Sequence, residues 1–402
     1  MGAASPVNVL LLGTGMQGRA ALHDLVRSDA VARVVAADRD VEALRAHVAA
    51  RDYGAKVACA ALDAADAGSI GRLVAGGHDV VIDLLPVPFI GTVAAAAVEH
   101  GVHLVNTFYV TPELRALADQ ARAKGVTLLP ELGLDPGIDL VLLGDAVRRF
   151  DEVTGIVCYG AGVPEPAAAD NPLRYKVSWT FEGVLRSYHR PGRLVRDGVV
   201  VEFGDTDQFR PELVHEIGID GIGRLEAFPN GDAVHYARLL GCDVSKLTRA
   251  GRYAMRYPGH SAFWRIVAAM GLLDDGAVEV DGVQVDRRRY LARALEPRLH
   301  YGADERDVAI LRVEVDGVRD GATRRVVHQV IDRRDLDTGL TAMSRTVGYA
   351  ASIGAHMIGA GLITRRGLLS PVTDVPCAPF TDALAARGIA TTTTDVLVDE
   401  PR

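Results

Sequence analysis

Three glycines and one aspartate carry the clearest chemical signal in this chain. Val9-Leu10-Leu11-Leu12 leads into Gly13-Thr14-Gly15-Met16-Gln17-Gly18, and Asp38 follows twenty residues after the last glycine. An apolar strand, a G-x-G-x-x-G turn, a helix over Arg19–Arg27 and an acid at that distance make a dinucleotide fingerprint in its required context. Gly13 allows the tight turn, Gly15 lets the backbone approach a pyrophosphate, and Gly18 lets the helix pack closely on the strand. The N–H groups and positive dipole end of the helix then hold the diphosphate. Thr14, Met16 and Gln17 belong to the same cofactor-binding turn. An acid at Asp38 accepts hydrogen bonds from adenosine ribose hydroxyls and repels a 2′-phosphate, so NAD is expected over NADP. Arg39 stands beside it and could soften that preference by pairing with such a phosphate.

Holding these groups in place requires a parallel sheet. After the strand Ala32–Ala37, a helix is predicted over Val41–Arg51, a strand over Lys56–Ala60 and a helix capped within Asp63-Ala64-Ala65-Asp66. A strand over His78–Pro86, a helix over Gly91–His100 and a strand over Val102–Asn106 follow, then a helix over Pro112–Lys124 and a strand over Val126–Pro130. This is the alternation of an α/β, Rossmann-type doubly wound sheet, whose ligands lie beyond the carboxyl ends of the strands. Asp63, Leu84 and Leu85 therefore join the expected cofactor-binding residues. Thr107–Tyr109 and Glu131–Gly137 occupy the neighbouring strand ends.

From about Phe150 the pattern changes. Strands are predicted over Val153–Tyr159, Leu173–Thr180, Val199–Phe203, Arg252–Tyr257, Ala277–Val280, Val308–Val315 and Val326–Asp332. Arg196-Asp197-Gly198 and Asp281-Gly282 read as hairpin turns between some of them. With helices over Ser261–Gly271 and Asp286–Leu299, this is an α+β substrate domain with a mainly antiparallel sheet. A mostly apolar helix over Leu340–Gly361 is rich in small residues and is expected to pack between the domains or along the cofactor domain. The expected division is a dinucleotide-binding domain over 1–132, completed by 335–402, and a substrate-binding and dimerisation domain over 133–334.

Composition narrows the function classes. At 402 residues the chain can build two or three cores, and 49% hydrophobic with 24% charged residues is ordinary for a globular enzyme. A net charge of −8 gives no electrostatic case for nucleic acid or an anionic membrane. Cys59, Cys158, Cys242 and Cys377 are widely spaced, which suits free thiols in a reducing compartment and no metal site. The stretch MGAASPVNVLLLG lacks a basic n-region and runs directly into the glycine turn, so a first strand, not a signal peptide, is expected. No apolar run reaches membrane-spanning length, and a cytoplasmic protein is the default expectation.

Gly133-Leu134-Asp135-Pro136-Gly137-Ile138-Asp139 follows the sixth strand. Either Asp135 or Asp139 could cap the next helix, or Asp135 could face the cofactor at the sheet edge as an acid–base group. Gly160-Ala161-Gly162-Val163-Pro164, Asp170-Asn171-Pro172-Leu173-Arg174-Tyr175-Lys176-Val177-Ser178-Trp179 and Glu226-Ala227-Phe228-Pro229-Asn230-Gly231-Asp232 then come in order. With the glycine turn and the later Met343–Gly348 and Ile363–Pro371, these motifs resemble the saccharopine dehydrogenase family. Its glutamate-forming saccharopine reductases and lysine 6-dehydrogenases are the nearest subgroups. The resemblance covers nearly the whole chain, and the order of the motifs is more specific than any one of them.

The resemblance implies hydride exchange between a nicotinamide and a carbon bearing an amine, with an imine that water opens. It implies that Thr107, Phe108 and Tyr109 lie beside the substrate, that Asp135 contacts the substrate amine or carboxylate region, and that Ser178 lies near the cofactor. Arg256 matches an arginine close to the substrate, where a guanidinium would pair with an α-carboxylate; an ordinary ion pair is the alternative. Asn230 is counted among the substrate-binding residues. Where saccharopine reductases read P-N-R-D, this chain has Gly231, which removes one carboxylate partner. Lysine 6-dehydrogenases also lack that arginine, but they usually lack the aspartate kept here as Asp135.

Other polar residues admit plainer readings. His260 reads either as a general base or as a turn histidine satisfied by backbone. Lys176 reads either as a ligand-binding lysine or as a strand-edge surface lysine. Trp179 and Trp264 read as packing. The expected function is an NAD-dependent oxidoreductase acting on the C–N bond of a lysine-type amino acid, with Asp135 and Tyr109 catalytic, and a homodimer. The alternatives are saccharopine reductase proper or a non-catalytic NAD-binding sensor or scaffold.

Overall fold

Short apolar strands alternating with capped helices build the first sheet. The elements are β1 (Val7–Leu12), α1 (Met16–Arg27), β2 (Val31–Asp38), α2 (Val41–Ala50), β3 (Val57–Ala61), α3 (Ala67–Val74), β4 (Val80–Asp83), α4 (Ile90–His100), β5 (His103–Asn106), α5 (Pro112–Ala116), α6 (Ala118–Ala123), β6 (Thr127–Leu129) and α7 (Ile138–Val147). This computed structural model describes residues 6–398; the start of the stretch read as lacking a signal peptide lies outside the described residues. Local signals set several boundaries. Asp40 caps α2 by accepting from the Ala43 amide at 3.0 Å, and Asp66 caps α3 by accepting from Gly68 at 2.9 Å. The helix predicted over Pro112–Lys124 is broken at Leu117 into α5 and α6.

The second region contains β7 (Glu152–Pro164), α8 (Phe181–Ser187), β8 (Gly192–Arg196), β9 (Val199–Phe203), β10 (His215–Ile219), β11 (Gly223–Pro229), α9 (Ala233–Leu239), β12 (Arg249–Arg256), α10 (His260–Ala269), β13 (Ala277–Val280), β14 (Val283–Asp286), α11 (Arg287–Leu295), β15 (Asp307–Arg319) and β16 (Ala322–Arg333). The chain ends with α12 (Ala342–Gly359), β17 (Gly367–Leu368), α13 (Pro371–Asp374), α14 (Cys377–Ala385) and β18 (Thr391–Leu397). It divides into two compact units. One runs through Gly144 and resumes over Ser344–Ala390; the other is Asp145–Met343 and resumes at Thr391.

In the first unit seven parallel strands lie in the order β17-β6-β5-β4-β1-β2-β3. The order reverses between β1 and β4, so the switch point of this Rossmann sheet sits at the glycine turn. The β1 residues Leu10 and Leu12 are buried in a core with Val81, Leu104 and Leu128. Small residues let α12 lie along this unit: a Cβ at Gly348 would stand 2.5 Å from the Gln17 carbonyl, and one at Gly354 2.2 Å from Leu132.

The second unit holds a nine-stranded sheet, with β10-β11-β12-β7-β15-β16-β18 as its path and β8-β9 attached to β12. All its pairings are antiparallel except β12 with β7, so the sheet is mixed. Asp197 and Gly198, at φ 50° and 77°, form the β8–β9 turn, and Asp281 and Gly282, at φ 51° and 80°, form the β13–β14 turn. Both are the left-handed pairs a tight hairpin needs.

Two predicted elements differ. Leu173–Thr180 is not a strand, because Asn171 accepts from the Leu173 and Tyr175 amides at 3.1 and 3.3 Å and folds the segment into a turn. The segment after 335 does not stay wholly with the nucleotide sheet. β18 pairs with β16, and its Asp395 is held by Arg319 and Arg324 at 2.9 and 2.8 Å.

Candidate active site

In the nucleotide unit the turn after β1 is shaped by its neighbours. Gly13 has φ 86°, and a Cβ on it would lie 2.9 Å from the Leu84 carbonyl oxygen; one on Gly18 would lie 2.1 Å from the Gly13 oxygen. Protein packing therefore requires both. Gly15 differs: its Cβ would meet nothing within 4 Å. Its missing side chain leaves open space in front of the α1 N-terminus, where no side chain caps the helix and no acid sits in the first turn. Met16 is exposed and Gln17 half-buried at that terminus. A diphosphate fits this cradle of N–H groups.

Beside it lies a cavity of about 260 Å³ lined by Thr14, Gly15, Arg19, Asp38, Arg39, Asp40 and His47, among others. The Asp38 carboxylate accepts from the Thr14 amide at 2.7 Å and from its hydroxyl at 2.9 Å, both at one oxygen. The other oxygen accepts from the Asp40 amide at 3.2 Å. Burial pushes this carboxyl up, but the Thr14, Asp40 and Arg39 hydrogen bonds outweigh it and hold the pKa below the usual range. His47 is pushed toward its neutral form by burial and by Arg19 and Arg51. Arg19 and Arg39 are exposed and have no carboxylate partner among the described residues. The cavity is therefore lined by two available guanidiniums and by acids engaged in local hydrogen bonds. Arg19 and His47 escaped the sequence because their approach to Asp38 depends on how α1 and α2 pack.

The loops at the next strand ends share one buried anchor. Asp83 accepts from the Leu85 amide at 3.0 Å and the Asn106 side-chain amide at 2.9 Å, and Asn106 accepts from the Phe108 amide at 2.7 Å. Burial pushes the Asp83 carboxyl up to about 7. Leu84–Leu85 and Thr107–Tyr109 thus start from a single polar pair. The third loop joins through the Glu131 amide on the Phe108 carbonyl at 2.9 Å, and Glu131 is buried at φ 62°. A Cβ at Gly133 would stand 3.3 Å from Thr107, so the Asp135 turn lies beside that loop. Asp139, in the first turn of α7, accepts from the Gly137 amide just before the helix at 2.8 Å. Asp135 and Tyr109 are both half-buried. Asp63 is exposed and closes a turn by accepting from the Ala65 amide at 3.0 Å.

In the second unit Arg256 ends β12, half-buried, with its guanidinium donating to the Met255 carbonyl at 2.7 Å and standing 5.1 Å from the Tyr175 ring centre. The register sets Glu226 opposite it, yet Glu226 accepts from the Gly259 amide at 2.9 Å and from Ser261. Arg256 has no carboxylate partner among the described residues. Asn230 receives the Arg190 guanidinium at 3.2 Å, so a cation stands beside the turn where Gly231 lacks a side chain. Ser178 is 1% exposed and packs near Gly162, where a Cβ would come 3.3 Å from its hydroxyl.

Other candidates settle into structural places. Lys176 is buried and bridged to Asp170 and Glu305 at 2.9 and 2.7 Å, neither on a strand edge nor at the surface. His260 bonds the Tyr188 hydroxyl at 2.8 Å, not backbone, and burial, reinforced by Arg256, holds it far toward its neutral form. Trp264 is buried in the same aromatic core. The four cysteines are free thiols. Among the described residues no helix is long and apolar enough to cross a membrane, and no metal-ligating cluster forms.

A glycine turn at the switch point of a parallel sheet, followed by a mixed-sheet unit, defines a two-unit protein of the dinucleotide-binding class. Residues 9–129 match the saccharopine dehydrogenase NADP binding domain, and residues 133–389 match the saccharopine dehydrogenase C-terminal domain. The chain belongs to the saccharopine dehydrogenase family. It is 26% identical to the Saccharomyces cerevisiae saccharopine dehydrogenase (NADP(+), L-glutamate-forming), over 90% of this chain and 93% of that one. It is 27% identical to the mouse mitochondrial alpha-aminoadipic semialdehyde synthase over 78% of this chain. It spans only 40% of that relative's length. The solved apo saccharopine dehydrogenase (L-Glu forming) from S. cerevisiae superposes with a TM-score of 0.83 at 24% identity, covering 97% of this chain and 100% of that one, a likeness of fold.

Proposed function

We propose that the protein is a nicotinamide-dinucleotide-dependent dehydrogenase acting on the C–N bond of an amino acid with a side-chain amine, of the lysine or saccharopine type. The observation that carries this reading is the pairing of functions within one family fold: a dinucleotide cradle in one unit and a carboxylate-free guanidinium, Arg256, in the other. Gly13, Gly15, Gly18 and the α1 N-terminus would hold the diphosphate. The bound dinucleotide supplies or accepts the hydride. Arg256 grips the substrate α-carboxylate. Asp135 or Tyr109 takes the proton from the substrate nitrogen in the oxidative direction, since that nitrogen must be neutral before its carbon loses hydride. Thr107, Phe108 and Asn230 line the substrate, and Ser178 belongs to the cofactor side.

The ribose cavity bears on the choice of dinucleotide. Asp38 alone favours NAD, but its oxygens are already engaged, whereas Arg19 and Arg39 are available to a 2′-phosphate. NADP in the names of the fungal relatives points the same way. We therefore extend the cofactor assignment from NAD to NADP. A homodimer and a cytoplasmic setting belong to the same reading. The deciding experiment follows absorbance at 340 nm with both dinucleotides and lysine, ornithine, saccharopine, or allysine plus glutamate. A signal with one of these amines supports the reading. Silence across the panel, with dinucleotide binding intact, moves the protein to a non-catalytic role.

A further inference from the structure

The helix α10 is apolar on both its sides. One side, with Trp264, is buried in the aromatic core of the second unit. The other carries Phe263, Ile266 and Met270 at helical spacing, with Ile266 62% and Met270 73% exposed. Arg265 is the one Lys, Arg, Asp or Glu in the helix. A surface helix normally turns a charged side to water, and a helix apolar all round belongs in an interior or an interface.

The hairpin that follows repeats the pattern. β13 and β14 form a two-stranded sheet of their own, apart from the nine-stranded one. Register sets Val278 opposite Val285 and Val280 opposite Val283, so four valines share one face. Three of them are exposed, Val283 by 62%. A lone hairpin is marginal in water unless something packs on its apolar face. Arg287 donates to the Asp275 and Gly276 carbonyls at 3.4 and 3.5 Å, and Arg288 pairs with the Asp275 carboxylate. These bonds tie the start of α11 to the connection between α10 and the hairpin. With Leu272 and Tyr290, eight of the seventeen exposed large hydrophobic side chains among the described residues lie between Phe263 and Tyr290. They leave roughly 800 Å² open to water, about the share each partner gives to a standard interface.

The same segment carries unspent charge of both signs. Among the described residues Glu279 and Asp281 of the hairpin have no cationic partner, and Arg289 and Arg293, one turn apart on α11, have no carboxylate partner. A partner of one charge sign would leave half of these groups unpaired. A second copy pairs them all, because a twofold axis sets the acids of each copy toward the arginines of the other. We propose that α10, the β13–β14 hairpin and α11 form the twofold contact with a second copy of this chain. This rests on the homodimer of the reading above, gives it a surface, and is independent of the reaction catalysed.

Sedimentation of the full chain at micromolar concentration tests this by mass. The native chain is expected to run as a dimer. Ile266→Lys and Val280→Lys should each raise the dimer Kd by about a hundredfold or more, since each buries an unpaired charge in the contact. Both positions are exposed, so the Tm should hold. Charge reversal gives the sharper reading. One chain carries Glu279→Lys with Asp281→Asn, which keeps a residue suited to the left-handed turn; another carries Arg289→Glu with Arg293→Glu. Each should be monomeric alone, and an equal mixture should form the mixed dimer, whose charges again oppose. A dimer that survives all four variants leaves the homodimer standing and overturns this surface. A monomeric native chain overturns both, and neither outcome touches the 340 nm assay. Loss of dimer in the reversed chains without recovery on mixing also overturns the twofold pairing.

Discussion

Asp24 on α1 and Arg387, just beyond α14, form a two-point ion pair across most of the sequence. The arginine Nε and Nη2 donate to the two carboxylate oxygens at 2.5 and 3.0 Å, and the Ser352 hydroxyl on α12 donates to the same carboxylate at 2.5 Å. This buried junction ties the returning chain segment to the helix that carries the glycine turn. Removing one partner leaves a buried group uncompensated. Asp24→Ala is expected to cost about 3 kcal/mol in urea unfolding, and Ser352→Ala about 1 kcal/mol. A change under half a kcal/mol for Asp24→Ala would show that the pair is not a main support of the unit.

The three glycines of the turn separate by role. Gly18→Ala drives a Cβ to 2.1 Å from the Gly13 carbonyl and should lower the Tm sharply. Gly15→Ala meets no protein atom, so it should fold normally while weakening dinucleotide binding by about tenfold or more, read by quenching of tryptophan fluorescence. Equal loss of stability in both variants contradicts this division.

Cofactor choice is tested at the ribose cavity. Arg39→Ala and Arg19→Ala should each weaken NADP by roughly tenfold and leave NAD nearly unchanged. If both dinucleotides weaken together, these arginines serve the turn and not a 2′-phosphate.

The buried carboxyls set a pH dependence of defined sign. Burial raises Asp83 to about 7 and Asp307 to about 6, both above the value of 3.8 for an unperturbed aspartate. Each therefore contributes stability that is fully present below about pH 4 and lost as pH rises through its folded pKa. Asp83→Asn should flatten the part of the stability curve nearest pH 7, with the Asp307 part remaining. Asp145, held near 2 chiefly by its His328 hydrogen bond, acts oppositely: its contribution is present above about pH 4 and lost toward pH 2. Thermal unfolding from pH 3 to 8 checks the signs, and an unchanged slope in Asp83→Asn would falsify the assignment to that residue.

The roles proposed for Asp135 and Arg256 are separable by kinetics. Asp135→Asn should lower kcat at least tenfold with dinucleotide affinity unchanged, while Arg256→Ala should chiefly raise KM for a carboxylate-bearing substrate. A KM effect at Asp135 with kcat intact would reassign it to substrate holding.

Much of the nucleotide unit was legible because its signals are local. Glycine spacing, short apolar runs and cap residues such as Asp40 and Asp66 act within a few positions, and the strands fell within a few residues of their predicted places. The second unit was less legible. Leu173–Thr180 alternates like a strand, but the Asn171 side chain claims the backbone groups a ladder would use. β18 pairs with β16, and a ladder between segments so far apart in sequence leaves no local pattern.

The sequence by itself determined the dinucleotide turn, the parallel sheet and the family, since these follow from residue types at short, regular spacings. Tertiary structure alone decided which charges are spent on one another. Lys176 and Asp38 proved to be engaged, whereas Arg19, Arg39, Arg174 and Arg256 have no carboxylate partner among the described residues. Electrostatic availability depends on which distant side chains arrive within hydrogen-bonding distance, and no local pattern encodes that.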